Sequence, residues 1–403
     1  MGEVATEARA ADPHRAERIA SHYELRRRTL ARMRDGSTDL DAATLRVDPA
    51  IYVDAAHAER EHRAIFAAMP VLAALSLDIP EPGDILIFDA LGPSILVMRD
   101  KAGGVRAFHN VCTHRAAQLL TECAHRTRLT CPFHGWTFDL EGKLIGLPGK
   151  EGFADVDRAT LGLRPVAVAE KHGMIFVRLD RPDEPIDIDA HLGPFATEIA
   201  HLDLARARPV ASSRVTTRAN WKYCYDTYGE SYHFATLHAE TIGRLAQSNV
   251  MVYDGYGLHA RLGFPRAEFE PYRDLPEEQW PHTDYGGLYM LFPNVSINVN
   301  SIIGVGQFYG ISRVFPGPTP NTSVSILTTY RPGHTDPDID LDAWRDMHAF
   351  IEKVVTEEDY AMAETGQANL DQAPPGFAMT LGRNEIALQH WHRHYAQILA
   401  RYN

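Results

Sequence analysis

The order of apolar and polar positions changes character along the chain. From about His14 to Arg34 the residues are rich in Arg, Glu, Ala and Leu, which predicts a helix ended by Asp35-Gly36. Strand patterns follow. Asp84-Ile85-Leu86-Ile87-Phe88 and Ser94-Ile95-Leu96-Val97-Met98 are short β-branched or aromatic runs flanking Leu91-Gly92-Pro93, a hairpin pattern. A second turn at Lys101-Ala102-Gly103-Gly104 leads into Val105-Arg106-Ala107-Phe108, and closely spaced strands and turns continue to Leu179. An all-β domain is expected over residues 49–180, preceded by an N-terminal helical segment over 1–48.

The polar stretch Asp180-Arg181-Pro182-Asp183-Glu184-Pro185 reads as a linker. Beyond it, over 181–403, the pattern is mixed. Strands are expected at Val210 to Thr217, Leu288 to Phe292, Ser296 to Asn300, Gln307 to Phe315 and Ser323 to Tyr330. Leu341, Trp344, His348, Ile351 and Val355 form one face of a helix over about 340–366, and another helix covers roughly Asn384 to Tyr402. Strands followed by helices able to cover one face predict an α+β domain with an antiparallel sheet.

A length of 403 residues is long for one core and agrees with two domains, or one inserted in another. The formal charge of -13 excludes a sequence-independent nucleic-acid binder, which needs a cationic surface. No apolar run is long enough to span a bilayer, and the charged, Ala-rich N-terminus is unlike a signal peptide, so a cytosolic (cytoplasmic) protein is expected. Met1 to Thr6 fits an acylation pattern too short to carry weight.

Of four cysteines, Cys112, Cys123, Cys131 and Cys224, three fall close together beside histidines, which points to metal rather than disulfides. Cys112-Thr113-His114 and Cys131-Pro132-Phe133-His134 give C-x-H-x16-C-x2-H. Each half offers one thiolate and one imidazole at the tip of a turn. That set suits a 2Fe-2S centre in which two Cys hold one iron and two His the other. The competing reading is a Cys2His2 zinc site, whose usual spacings pair like with like. The stretch resembles the Rieske domain of ring-hydroxylating oxygenases, with Arg115 after the first His and Gly135-Trp136, Phe138 and Gly142 after the second. Ala116 stands where relatives commonly have Gly, and Cys123 matches no ligand position.

A second constellation lies between Asn220 and His238, where His233 and His238 form H-x4-H. On an ideal helix the two rings would point roughly 140° apart, so they converge on one ion only where the helix ends or distorts. Alone, the pair does not stand out from surface or core histidines. Two His and one carboxylate with open positions is the arrangement of non-haem Fe(II) oxygenases. Glu358-Asp359, with Glu364 and Gln367, resembles the family's E-D-x4-E-x2-Q stretch and implies Asp359 as third ligand. The same resemblance implies that Glu230 links an iron ligand to a cluster His of the neighbouring subunit, and Glu rather than Asp there resembles the branch acting on amines and betaines. Where many relatives carry Glu-Asn this chain has Asp226-Thr227, which leaves Asp226 as a helix anchor or a support behind the ligands.

His390, His392 and His394 do not share one helix face and read as packing or surface residues. Gly304-Val305-Gly306 reads as a turn, and no nicotinamide or flavin fingerprint is present. The resemblance, covering nearly the whole chain, implies a Rieske domain inserted in an α+β helix-grip catalytic domain, with mononuclear Fe(II), O2 as co-substrate and a homotrimer. It further implies electrons from NAD(P)H delivered by a ferredoxin or flavin reductase. Expected outcomes are mono- or dihydroxylation of an aromatic or related small molecule, or alternatively N- or O-demethylation or amine oxidation. Tyr289, Phe292, Asn298 and Phe308 are expected to line the substrate pocket.

Overall fold

The computed structural model describes residues 15–280, 285–302, 305–335 and 340–402. His14, the Met1 to Thr6 stretch and Gly304 lie outside the described residues. The first helix, α1 (Arg15–Asp35), buries Leu25, Leu30 and Met33 against Val252, Phe269 and Tyr285 of the C-terminal half. Two short helices, α2 (Ala50–Val53) and α3 (Ala55–Glu61), follow, and helical turns run on to Ala67. Placed by sequence at the head of the all-β domain, these residues instead pack on the C-terminal half. The reason is polar pairing: Tyr52 donates to Asp226 at 2.9 Å, and Glu61 accepts from Trp221 and pairs with buried Lys222.

Leu45–Val47 pairs antiparallel with Met379–Leu381, and the strands of the all-β domain begin at Val71. A four-stranded antiparallel sheet runs in the order Ala124–His125, Asp84–Phe88, Ile95–Arg99, Val105–His109. Leu129–Thr130, Thr137–Phe138 and Leu144–Gly146 form a small second sheet, and Val71–Leu75 joins Ala167–Lys171 and Met174–Arg178 in a third. Val71–Leu75 is buried at every position, so it shows no alternation and escapes a period-two reading. Arg178 ties down the linker by donating to the carbonyls of Arg181 and Glu184 at 2.9 and 2.8 Å.

After α4 (Ile188–Leu192) and α5 (Phe195–His201), a seven-stranded antiparallel sheet organises the C-terminal half. Its order is Arg208–Thr217, Ser323–Arg331, Gly306–Pro316, Val295–Ile302, Gly287–Leu291, His259–Gly263, Val252–Tyr256. Strand periodicity separates two faces. Tyr289, Leu291, Ile297, Val299, Tyr309 and Ile311 pack on Phe195, Ile199 and Phe176. The other face meets α6 (Trp221–Asp226) and one long helical run: α7 (Asp342–Val354), a π turn at Val355–Asp359 and α8 (Tyr360–Leu370). The terminal helix α9 (Ile386–Arg401) packs Trp391 edge-on against Trp221 and beside Phe292. This is an α+β architecture, and among the described residues no helix is long and apolar enough to cross a membrane.

Candidate metal centres

The two cluster loops share one backbone design. Cys112 O accepts from Ala116 N and Cys131 O from Gly135 N, both at 3.0 Å, while each Cys N–H donates to the residue five positions on. Gly135 has φ 72° and Ala116 φ 57°, so both loops turn through the left-handed region. Cys112 and Cys131 are buried in a cluster with Leu119, Trp136 and Phe138. His114 stacks on Trp136 at 4.8 Å, and the His114 and His134 rings lie 4.6 Å apart. Their Nδ1 atoms are buried without a hydrogen-bond partner. Two orphaned imidazole nitrogens facing two buried thiols is the donor set of a mixed Cys2His2 2Fe-2S cluster. No three of these ligand atoms converge within 4.8 Å, as one tetrahedral zinc would require; among the described residues only His233, His238 and Asp359 do. Cys123 is exposed and lies apart, its Sγ accepting from Ile87 N.

α6 stops at Asp226, capped at its start by Asn220, and residues 227–246 continue as irregular turns. That early end releases His233 and His238 from helical geometry. Their rings come within 4.9 Å, and Asp359 Oδ1 lies 3.5 and 3.2 Å from the two Nε2 atoms. Asp359 Oδ1 is buried and in neither contact makes a hydrogen bond, as expected of an atom aimed at an ion. The opposite ring edges are fastened: His233 Nδ1 contacts Glu230, and His238 Nδ1 lies 2.5 Å from Glu358, which also accepts from Thr241. Such partners fix each imidazole with Nε2 free for a metal. Burial disfavours a proton on His233, yet the carboxylates of Asp359 and Glu230 outweigh it and lift the ring to about 9. In this field of negative charge, a divalent cation replaces a proton readily.

Glu358 is a partner that sequence reasoning missed, although it adjoins Asp359 in the matched stretch. In a regular helix adjacent residues point about 100° apart; the π turn at Val355–Asp359 carries both acids. The other motif residues brace the loop before α6: Glu364 accepts from Arg218 N and Gln367 Oε1 from Asn220 N. Asp226 is buried, bonded to Tyr52 and 3.1 Å from His392 Nε2, so it anchors α2 and α9 to α6. His390 meets Tyr253 and His394 meets the His390 carbonyl, so the three C-terminal histidines do not converge.

Beside the triad lies a cavity of about 210 Å³. Asn298 and Phe308 line it together with Leu288, Phe234, Phe264 and Phe350. Tyr289 and Phe292 do not. Tyr289 follows Leu288 on the strand and so faces the opposite side of the sheet, while Phe292 lies just past the strand's end at Leu291 and packs on Trp391.

Two family models match this sequence. Residues 204–401 match the ring hydroxylating alpha subunit (catalytic domain), and residues 69–160 match the Rieske [2Fe-2S] domain. A glycine betaine monooxygenase oxygenase subunit from Chromohalobacter salexigens is 33% identical over 223 residues, which are 55% of this chain and 47% of that protein. A carnitine monooxygenase oxygenase subunit from Escherichia coli is 33% identical over 195 residues, 46% of this chain and 50% of that protein. The matches thus span about half the length of these relatives. In structure, a quaternary ammonium Rieske monooxygenase in complex with its substrate L-carnitine superposes with a TM-score of 0.74 at 22% identity, covering 89% of this chain and 96% of that one. With a Rieske domain for the 2Fe-2S cluster and a catalytic domain for mononuclear iron, the chain belongs to the Rieske-type ring-hydroxylating oxygenase alpha-subunit family.

Proposed function

We propose that this chain is the oxygenase component of a multi-protein enzyme that oxidises a small organic molecule at a methylated nitrogen. The observation that carries this reading is the convergence of His233, His238 and Asp359 within 4.8 Å at the wall of a cavity. When bound, the cluster supplies single electrons and the iron supplies a site where O2 is activated. Three protein ligands leave room for O2 and substrate side by side. Glu230 and Glu358 hold the two imidazoles in register from behind. Phenylalanine walls exclude water and offer ring faces to a cationic head group.

His114 and His134 would hold the cluster, which would supply electrons that a ferredoxin or flavin reductase draws from NAD(P)H, and Glu230, fastened to His233, would link the two sites across subunits of a homotrimer. Exposed apolar side chains support such an assembly: Phe133 beside the cluster is 54% exposed, and Tyr232 beside the triad 61%. The names of the relatives aligned in sequence favour betaine-type nitrogen compounds over the aromatic hydroxylation expected first. Glu at position 230 supports the same choice.

The test reconstitutes the purified oxygenase with a reducing partner and follows O2 uptake and formaldehyde release. Substrate-dependent formaldehyde from trimethylammonium compounds is expected. Ring diols from naphthalene or benzoate, with no response to quaternary amines, would overturn the nitrogen reading.

A further inference from the structure

Besides the triad, the cavity carries a group of polar residues, Arg266, Asn300 and Ser301. One wall is the helical run from Met347 in α7 through the π turn to Asp359. The twelve steps from Met347 to Asp359, at about 1.5 Å each, make that wall roughly 18 Å long. Arg266 is the one Lys or Arg among the residues lining the slot, and a chain of contacts locates it away from the triad. Its Nη1 donates to the Ser301 carbonyl at 3.2 Å, Ser301 pairs with Gln307 across the sheet, and the Gln307 carbonyl accepts from Trp344. Trp344 lies in the first turn of α7, at the opposite end of the run from Asp359.

Arg266 is only 12% exposed, and Glu268 holds its Nε and Nη2 at 3.1 and 3.2 Å. A guanidinium clamped along one edge is already oriented, so little further entropy is lost when its other edge meets an anion. Asn300 lines the same end and adds a hydrogen-bonding group. The other end carries the carboxylates Glu230 and Asp359 and the two triad imidazoles.

We infer that the substrate is an elongated carboxylate: its oxidised group sits at the triad, an apolar middle fills the slot, and its carboxylate binds Arg266 with Asn300 and Ser301. The separation between reacting carbon and carboxylate is on the order of 10 Å. Glycine betaine and carnitine, for which the relatives are named, place only a few bonds between nitrogen and carboxylate. The inference rests on the proposed function only for the choice of head group.

Calorimetric binding to the purified holoprotein tests it with two ligand series, ω-trimethylammonium alkanoates and ω-phenylalkanoates of increasing chain length, each as acid and methyl ester. Affinity of the acids is expected to rise at least tenfold between the shortest and the optimal chain. Arg266→Gln should erase that gain while changing ester affinity less than threefold, and Glu268→Gln, which releases the guanidinium, should tighten the long acids. Affinity indifferent to chain length, or Arg266→Gln weakening acids and esters alike, overturns the inference. Should Arg266→Gln not fold, unchanged acid affinity in Glu268→Gln does so instead. An Arg266-dependent gain confined to the phenyl series keeps the slot assignment and removes the nitrogen reading.

Discussion

Ala116 and Gly135 occupy equivalent places in the two cluster loops, both with positive φ. A left-handed alanine costs about 1–2 kcal/mol relative to its ordinary conformation, against a smaller entropic cost for glycine. Ala116→Gly should therefore raise the thermal unfolding midpoint slightly, and Gly135→Ala should lower that midpoint through a loss of about 1 kcal/mol of stability, measured by calorimetry with the cluster's absorbance unchanged in the first variant. His233→Ala should abolish turnover yet leave the visible spectrum of the cluster, because the two sets of ligands sit on separate elements; loss of that colour would contradict the division. The cluster ligands were legible because short turns tie spacing to geometry. The H-x4-H pair was legible only through the family resemblance and not from its spacing, since its convergence depends on α6 ending at Asp226. Asn298 and Phe308 line the cavity and Tyr289 does not, because a one-residue step along a strand reverses the face.

Among the elements, α6 depends on a buried ion pair. Lys222 is 0% and Glu61 2% exposed, and Trp221 and Tyr395 also donate to Glu61, so α3, α6 and α9 meet at this carboxylate. Removing one partner strands a buried charge, and Lys222→Met should cost about 3–5 kcal/mol by denaturant unfolding. Pairing it with Glu61→Leu should recover part of that loss; full additivity would show that the two groups do not interact. The long strands and the amphipathic C-terminal helices were readable from periodicity. α2 and α3 were not, being short segments held by distant polar partners rather than by an apolar stripe. The π turn likewise has no pattern of its own in the residues that form it.

Across the whole molecule, several histidines are buried neutral. His259 accepts from Phe292 N at 3.0 Å through Nδ1 and places Nε2 2.9 Å from the His191 carbonyl. Burial pushes His259 and His22 down to about 3, from an ordinary value of 6.5. Between those values the unfolded chain binds protons that the folded chain refuses. Stability is therefore full above pH 6.5 and lost as the pH falls, by about 2 kcal/mol per histidine at pH 5. Denaturant midpoints between pH 7.5 and 5 should fall accordingly, and a flat profile would show these sites to be solvated. The two-domain organisation and its order were legible from composition and motif; the packing of residues 50–67 was not, because it is decided by contacts across the chain. The most direct test of the account is iron and acid-labile sulfide analysis of anaerobically purified protein, with visible and EPR spectra before and after dithionite. About three irons and two sulfides per chain, with a rhombic signal appearing on reduction, are predicted; zinc without sulfide would contradict the account.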